Sequence, residues 1–154
     1  MIPRQTLDYF TAVPDELLAL CAPHRWEDLT SPPAPGLRSI RDILVHIVGA
    51  EQRWIHHAIA GQPKMSDRPE AFSDLDTIGR HWRPQRKATV ALVQGLTAEA
   101  WHSRRPFHFD PSRTATVEEI LWHVVTHEQY HRGQIFTRLA LLGRRDLPDL
   151  DLLR

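Results

Sequence analysis

The chain has 154 residues, 42% apolar and 25% charged, ordinary globular values that point to one domain able to bury a full core. Lys plus Arg equals Asp plus Glu at 19 each, which excludes the clustered positive charge of a broad nucleic-acid footprint, and a lone cysteine, Cys21, excludes an intrachain disulfide or a thiolate zinc cluster. With no cationic-then-apolar N-terminal stretch and no apolar run of bilayer-crossing length, a cytoplasmic protein with neither membrane nor nucleic-acid partner is expected.

Apolar spacing reads as helix nearly throughout. A first helix is predicted over 4–22 (Leu7, Phe10, Leu17, Leu18, Cys21), bent at Pro14. The proline-rich stretch 31–36 is a loop, after which Ser39 caps a second helix over 39–60, stopped by Gly61 and Pro63. Ser73 is expected to cap a third, over 73–95, with Pro84 inside it. Thr97 starts a short extra turn, and 102–115 is a connection with no convincing strand, although Phe107-His108-Phe109 has a locally extended look. The fourth helix, over 116–142, is the best defined: Thr116 and Glu119 form a capping box, and Gly143 follows the last periodic residue. Four such helices predict an all-α four-helix bundle with one or two crossover connections.

Ten histidines are the one compositional excess. On the fourth helix Val117, Ile120, Val124, His127, His131, Ile135 and Leu142 share one stripe, and residues i and i+4 stand one above the other. His127 and His131 therefore occupy positions where a bundle expects Leu or Val. Two buried imidazoles without a partner would cost free energy, and a divalent metal satisfies both. His46, at the border of the second helix's stripe (Ile43, Ile47, Ala50, Trp54), is the third candidate ligand. Three neutral imidazoles leave the ion its charge and open positions, as in catalytic sites. The competing reading is three hydrogen-bonded core histidines.

His123 and His131 are eight residues apart, roughly 12 Å along the axis, so one ion cannot take both. His123 is expected to pack or to support the ligands. His57 is about 16 Å from His46 by the same rise and cannot share that ion. His24, His56, His81, His102 and His108 read as surface or loop residues. Gln134 lies beside the histidine face and is suited to orient a ligand. Arg138 either receives a substrate carboxylate or snorkels to solvent. Gly133, unfavourable in a helix interior, suggests a closely packed neighbour. Cys21 has no cationic or metal partner in prospect and is no nucleophile.

The second helix, Ser39-Ile40-Arg41-Asp42-Ile43-Leu44-Val45-His46-Ile47 followed by Glu51-Gln52-Arg53-Trp54, resembles the DinB/YfiT-like superfamily of metal-dependent four-helix-bundle proteins. So does the fourth, where Trp122-His123-Val124-Val125-Thr126-His127-Glu128-Gln129-Tyr130-His131 leads into Arg132-Gly133-Gln134-Ile135. Leu141-Leu142-Gly143 and the Pro-Asp tail extend the likeness over essentially the whole chain. The resemblance implies an atypical bundle topology, a homodimer, a small-molecule substrate, and a divalent metal, nickel or zinc foremost, held by His46, His127 and His131. It also implies a metal-dependent hydrolase or a thiol-dependent transferase, the latter using a low-molecular-weight thiol such as bacillithiol, mycothiol or glutathione. A non-catalytic metal-binding stress-response module is the main alternative outside catalysis.

His127-Glu128-x-x-His131 also fits the zinc-peptidase pattern, with Glu128 as general base. Against it, no strand precedes the motif to align a peptide, and a third ligand would have to be Asp146, Asp149 or Asp151. Glu128 points about 100° away from His127 around the helix, which reads as a surface residue or a supporting acceptor.

Overall fold

A computed structural model of the chain describes residues 4–65 and 68–149. Helix α1 spans Arg4–Cys21 and runs unbroken through Pro14. A short helix α2, Trp26–Thr30, follows, and then the proline-rich loop. Helix α3 is Ile40–Glu51, with Ser39 accepting from the Asp42 amide as foreseen. It does not end there: Gln52–Ile59 continues it as a π-helical segment, closed by Gly61 at a φ of 70°. One turn of 3₁₀ helix, Pro69–Ala71, precedes α4, Leu75–Gln94. Its N-cap is Asp74, not Ser73, because the Asp74 carboxylate accepts from the Thr77 amide at 2.7 Å while the Ser73 hydroxyl meets only the side chains of Asp74 and Thr77. Helix α5, Ala98–His102, is the short turn capped by Thr97.

The connection 102–115 departs from expectation. Arg104–Pro106 (β1) and Thr114–Thr116 (β2) form an antiparallel hairpin, in register Arg104 with Thr116 and Pro106 with Thr114. Three-residue strands are too short for an alternating pattern to reveal them. Phe107, His108 and Phe109 lie in its loop. Helix α6, Val117–Leu141, starts at the Thr116–Glu119 capping box, and Gly143 follows at a φ of 96°.

Helix α1 packs chiefly on α4, and α3 on α6. The core falls into two parts. Val13, Leu17, Ile43, Leu44, Trp82 and Leu139 belong to one, and Phe10, Trp54, Ile55, Ile120, Leu121 and Val124 to the other. Each full burial of such a side chain contributes about 1.5–3 kcal/mol.

A charged layer lies between them. Glu51 of α3, Arg86 of α4 and Glu128 of α6 are 1%, 2% and 3% exposed. Arg86 donates to both Glu51 oxygens at 3.1 Å and to Glu128, and Trp82 and Thr89 donate to Glu51. The Arg86 Nη1 donates to the carbonyl of Phe10. That carbonyl would ordinarily accept from the amide four residues on, but residue 14 is proline and has none. Arg86 thus supplies the donor that Pro14 lacks.

The layer overturns two sequence expectations. Glu128 is not a surface residue, and His56 is not one either: it is 4% exposed, its Nε2 2.9 Å from the Thr89 hydroxyl. Since that hydroxyl already donates to Glu51, His56 must be the donor. The buried face of α6 is accordingly wider than the apolar stripe: it keeps Val117, Ile120, Val124, His131 and Ile135 and adds Leu121, Glu128, Arg132 and Leu139, while Leu142 is 42% exposed. Arg132 is covered by an ion pair with Glu16 and by the ring of Tyr9. Gly133 has no close neighbour: a methyl group there would meet nothing within 4 Å.

Candidate metal centre

His127 stands half-buried at the edge of the buried face of α6, against α3, and His131, one turn further on, is buried. His46 meets them from α3. The ligand nitrogens of the three rings all lie within 4.8 Å of one another. His127 Nε2 is 3.2 Å from His46 Nε2 and 3.2 Å from His131 Nε2. His131 Nδ1 donates to Gln134 Oε1 at 2.8 Å, and Gln134 Nε2 donates to the Tyr130 hydroxyl. This chain holds the His131 proton on Nδ1 and turns the Nε2 lone pair towards the other two rings.

The donor set fits a divalent ion. With His131 Nε2 a bare acceptor, no placement of protons makes both contacts of His127 Nε2 good hydrogen bonds. A cation among three lone pairs does satisfy them. Ligand nitrogens about 2.0–2.1 Å from a tetrahedral metal stand roughly 3.3–3.4 Å apart, close to the spacing seen here. Burial also keeps the rings neutral, as ligands must be. It pushes His127 down to about 3 and His46 down to about 4, with nearby cations and the other imidazoles adding to it, and lowers His131 likewise.

One flank of the site opens on a cavity of about 670 Å³. His46 and His127 form part of its wall, and Ala50, Trp54 and Ile120 continue it. The hairpin loop adds Phe107, His108 and Phe109 to the wall, their rings edge-on to Trp54 at 5.3, 4.8 and 5.9 Å. His123 packs on Trp54 at 5.0 Å and lines the same wall, the packing role expected of it. Arg53 and Arg113 also line the cavity.

Other candidates lie elsewhere. Glu128 is bound by Arg86 and turned to the charged layer, so the peptidase pattern lacks its general base. Asp146 is held by Arg144 at 2.9 Å, and Asp151 lies outside the described residues. Arg138 neither reaches the cavity nor snorkels freely: it donates to the carbonyls of Arg38 and Gln134. Cys21 is buried, and burial pushes its thiol up to about 12. His57 bonds the Gln62 carbonyl.

Sequence reasoning missed Glu51, Arg86 and the hairpin's share of the cavity. Glu51 had left a signal. It lies three and four residues from Val48 and Ile47, on the buried stripe of α3.

An atypical helical bundle with three imidazoles converging from two helices defines a class, and the chain belongs to the DinB family, whose model matches residues 2–153. It is 26% identical over 131 residues to the uncharacterised protein YizA of Bacillus subtilis (strain 168), spanning 83% of this chain and 80% of that one. Three solved structures share the fold. A DinB-like protein of Bacillus cereus ATCC 10987 has a TM-score of 0.73 at 20% identity, covering 94% of this chain and 95% of its own. The DinB-like protein YjoA of Bacillus subtilis gives 0.73 at 20%, covering 95% and 97%. YfiT of Bacillus subtilis gives 0.74 at 15%, covering 94% and 92%, and is described as a probable metal-dependent hydrolase with an unusual four-helix bundle topology.

Proposed function

We propose that this chain is a divalent-metal-dependent enzyme acting on a small molecule, with His46, His127 and His131 as the protein ligands. The convergence of the three nitrogens at the wall of a cavity of about 670 Å³ carries this reading, because it leaves one side of the ligand set open to a substrate. When bound, such an ion supplies Lewis-acid chemistry: it favours the deprotonated form of a water or thiol nucleophile and polarises the electrophile. The chain's own part is positioning. Gln134 fixes the tautomer of His131, burial keeps all three rings unprotonated, and the hairpin loop lends aromatic rings to the cavity wall. Hydrolysis is the first reaction to test, in keeping with the description of YfiT; transfer to bacillithiol, mycothiol or glutathione shares the same activated nucleophile.

Elemental analysis of the purified protein is expected to find about one divalent ion, nickel or zinc foremost, per chain. His46→Ala is expected to lose it while circular dichroism keeps its helical signal. Stoichiometric metal in that variant would overturn the ligand assignment. Chelation should abolish turnover in an ester, amide and thiol-transfer panel without unfolding the bundle; collapse of the fold instead would mark a structural ion. The homodimer is part of the same proposal, and sedimentation equilibrium tests it.

A further inference from the structure

We infer that the cavity beside the three imidazoles takes a small molecule with a flat aromatic ring, held by ring contacts with Trp54, Phe107 and Phe109 and not by charge. The chemistry at that ring's substituent rests on the metal-dependent reading above; binding of the ring does not.

Trp54 is the centre of an aromatic cluster drawn from the π-helical segment, the hairpin loop and α6. Phe107, His108, Phe109 and His123 stand edge-on to it with centroids 4.8–5.9 Å away, and Phe107 and Phe109 are 5.4 Å apart. All of them line the cavity, and the small side chains of Ala50 and Ala115 leave room beside them. Rings set at steep angles offer a guest both edges and faces, which rewards an aromatic ring beyond its apolar area. Phe109 is 58% exposed although it lines the cavity, an apolar ring that a ligand would cover. A volume of about 670 Å³ suits a small organic molecule and is far too small for a folded partner.

The backbone under Trp54 points the same way. It belongs to the π-helical segment Gln52–Ile59, a geometry that is rare and concentrates at functional sites. Gln52 pins the start of that segment to the loop beyond its end: its side-chain amide donates to the Pro63 carbonyl at 2.8 Å and accepts from the Met65 amide at 3.2 Å. The charged groups on the wall, by contrast, already act within the chain. Glu119 accepts from the Thr116 amide at 2.7 Å and hydroxyl at 3.0 Å. Arg113 lies over the Phe107 ring at 4.7 Å and its charge acts on Asp110, while Arg53 has an interaction of its own. Recognition is left to the rings.

NMR titration of the metal-free protein with phenylacetamide, cyclohexylacetamide, hexanamide and phenylacetate tests this. Phenylacetamide is expected to bind about three- to ten-fold tighter than the two saturated amides, the factor an aromatic pair supplies. Phenylacetate should bind no more than about two-fold tighter than phenylacetamide. Trp54→Leu should bring phenylacetamide to within about two-fold of cyclohexylacetamide, and Phe109→Leu, at an exposed position, should narrow the gap part of the way. Should Trp54→Leu fail to fold, Phe109→Leu decides, with an unchanged circular dichroism spectrum as its control. Equal affinity for the aromatic and saturated amides would overturn the proposal, as would a preference undiminished in Phe109→Leu or no binding by any of the four. A larger preference for phenylacetate would overturn it too, because charge would then hold the ligand. Should zinc fail to bind while the ring preference persists, the metal-dependent reading fails and this one stands; zinc binding without ring preference does the reverse.

Discussion

Arg86 on α4 donates to the carboxylate of Glu128, the residue that directly follows His127 on α6. The same guanidinium grips Glu51, five residues after His46 on α3. One buried cation therefore ties together the two helices that bear the candidate ligands. Removing it would leave two buried carboxylates facing each other. Arg86→Met is expected to cost about 3–5 kcal/mol in denaturant unfolding. Glu128→Gln, which keeps an acceptor for Arg86, should cost only about 1 kcal/mol.

Gln134 is the partner that orients His131. Gln134→Ala is expected to weaken zinc about 10–100-fold, the usual effect of losing a ligand's outer hydrogen bond. Competition titration against a chelator reads this, and unfolding should move little, since the residue is only half-buried. Unchanged affinity would mean that the His131 tautomer needs no such support.

The pH dependence has two opposing parts. Burial lowers His46 to about 4 and His127 to about 3, whereas unfolded histidines titrate near ~6.5. The unfolded chain thus binds more protons in between, and the rings' contribution is complete above that value and lost as pH falls towards 4 and then 3. Glu128 works the other way. Burial, with Glu51 adding to it, raises Glu128 to about 7 despite Arg86, so its contribution is present below the usual carboxylate range and lost as pH rises through 7. Wild-type metal-free protein should show a shallow acid-side profile, and Glu128→Gln a steeper one. Identical unfolding profiles between pH 4 and 7 would contradict this account.

Gly133 sits inside α6 with open space where a methyl group would go. Gly133→Ala is expected to stabilise the protein by about 1 kcal/mol through helix propensity. A rise in the thermal midpoint with unaltered zinc affinity is the expected pair of readings. A loss of stability would show that the glycine answers to a packing partner.

Cys21 is fully buried, and its thiol is pushed up to about 12. It should resist an aromatic disulfide reagent at pH 8 in the folded state and react completely once denaturant unfolds the chain. Fast reaction without denaturant would reveal opening of the core around α1.

The amino-acid order by itself determined whatever depends on neighbours along one helix. The Ser39 cap, the Thr116–Glu119 box and the stacking of His127 on His131 follow from spacings of three and four, because the helix rise and turn fix those contacts before any packing. His46 was already a candidate from its place on the second helix, but only the tertiary structure brings it against His127, walls the cavity with the hairpin loop, and turns Glu128 and Arg132 inward. Those outcomes rest on partners far away in the chain: Arg86 and Glu51 for Glu128, Glu16 and Tyr9 for Arg132. A buried charge is stable only when its counter-charge and donors arrive from other elements, so a pattern that ranks residues by apolarity places it outside.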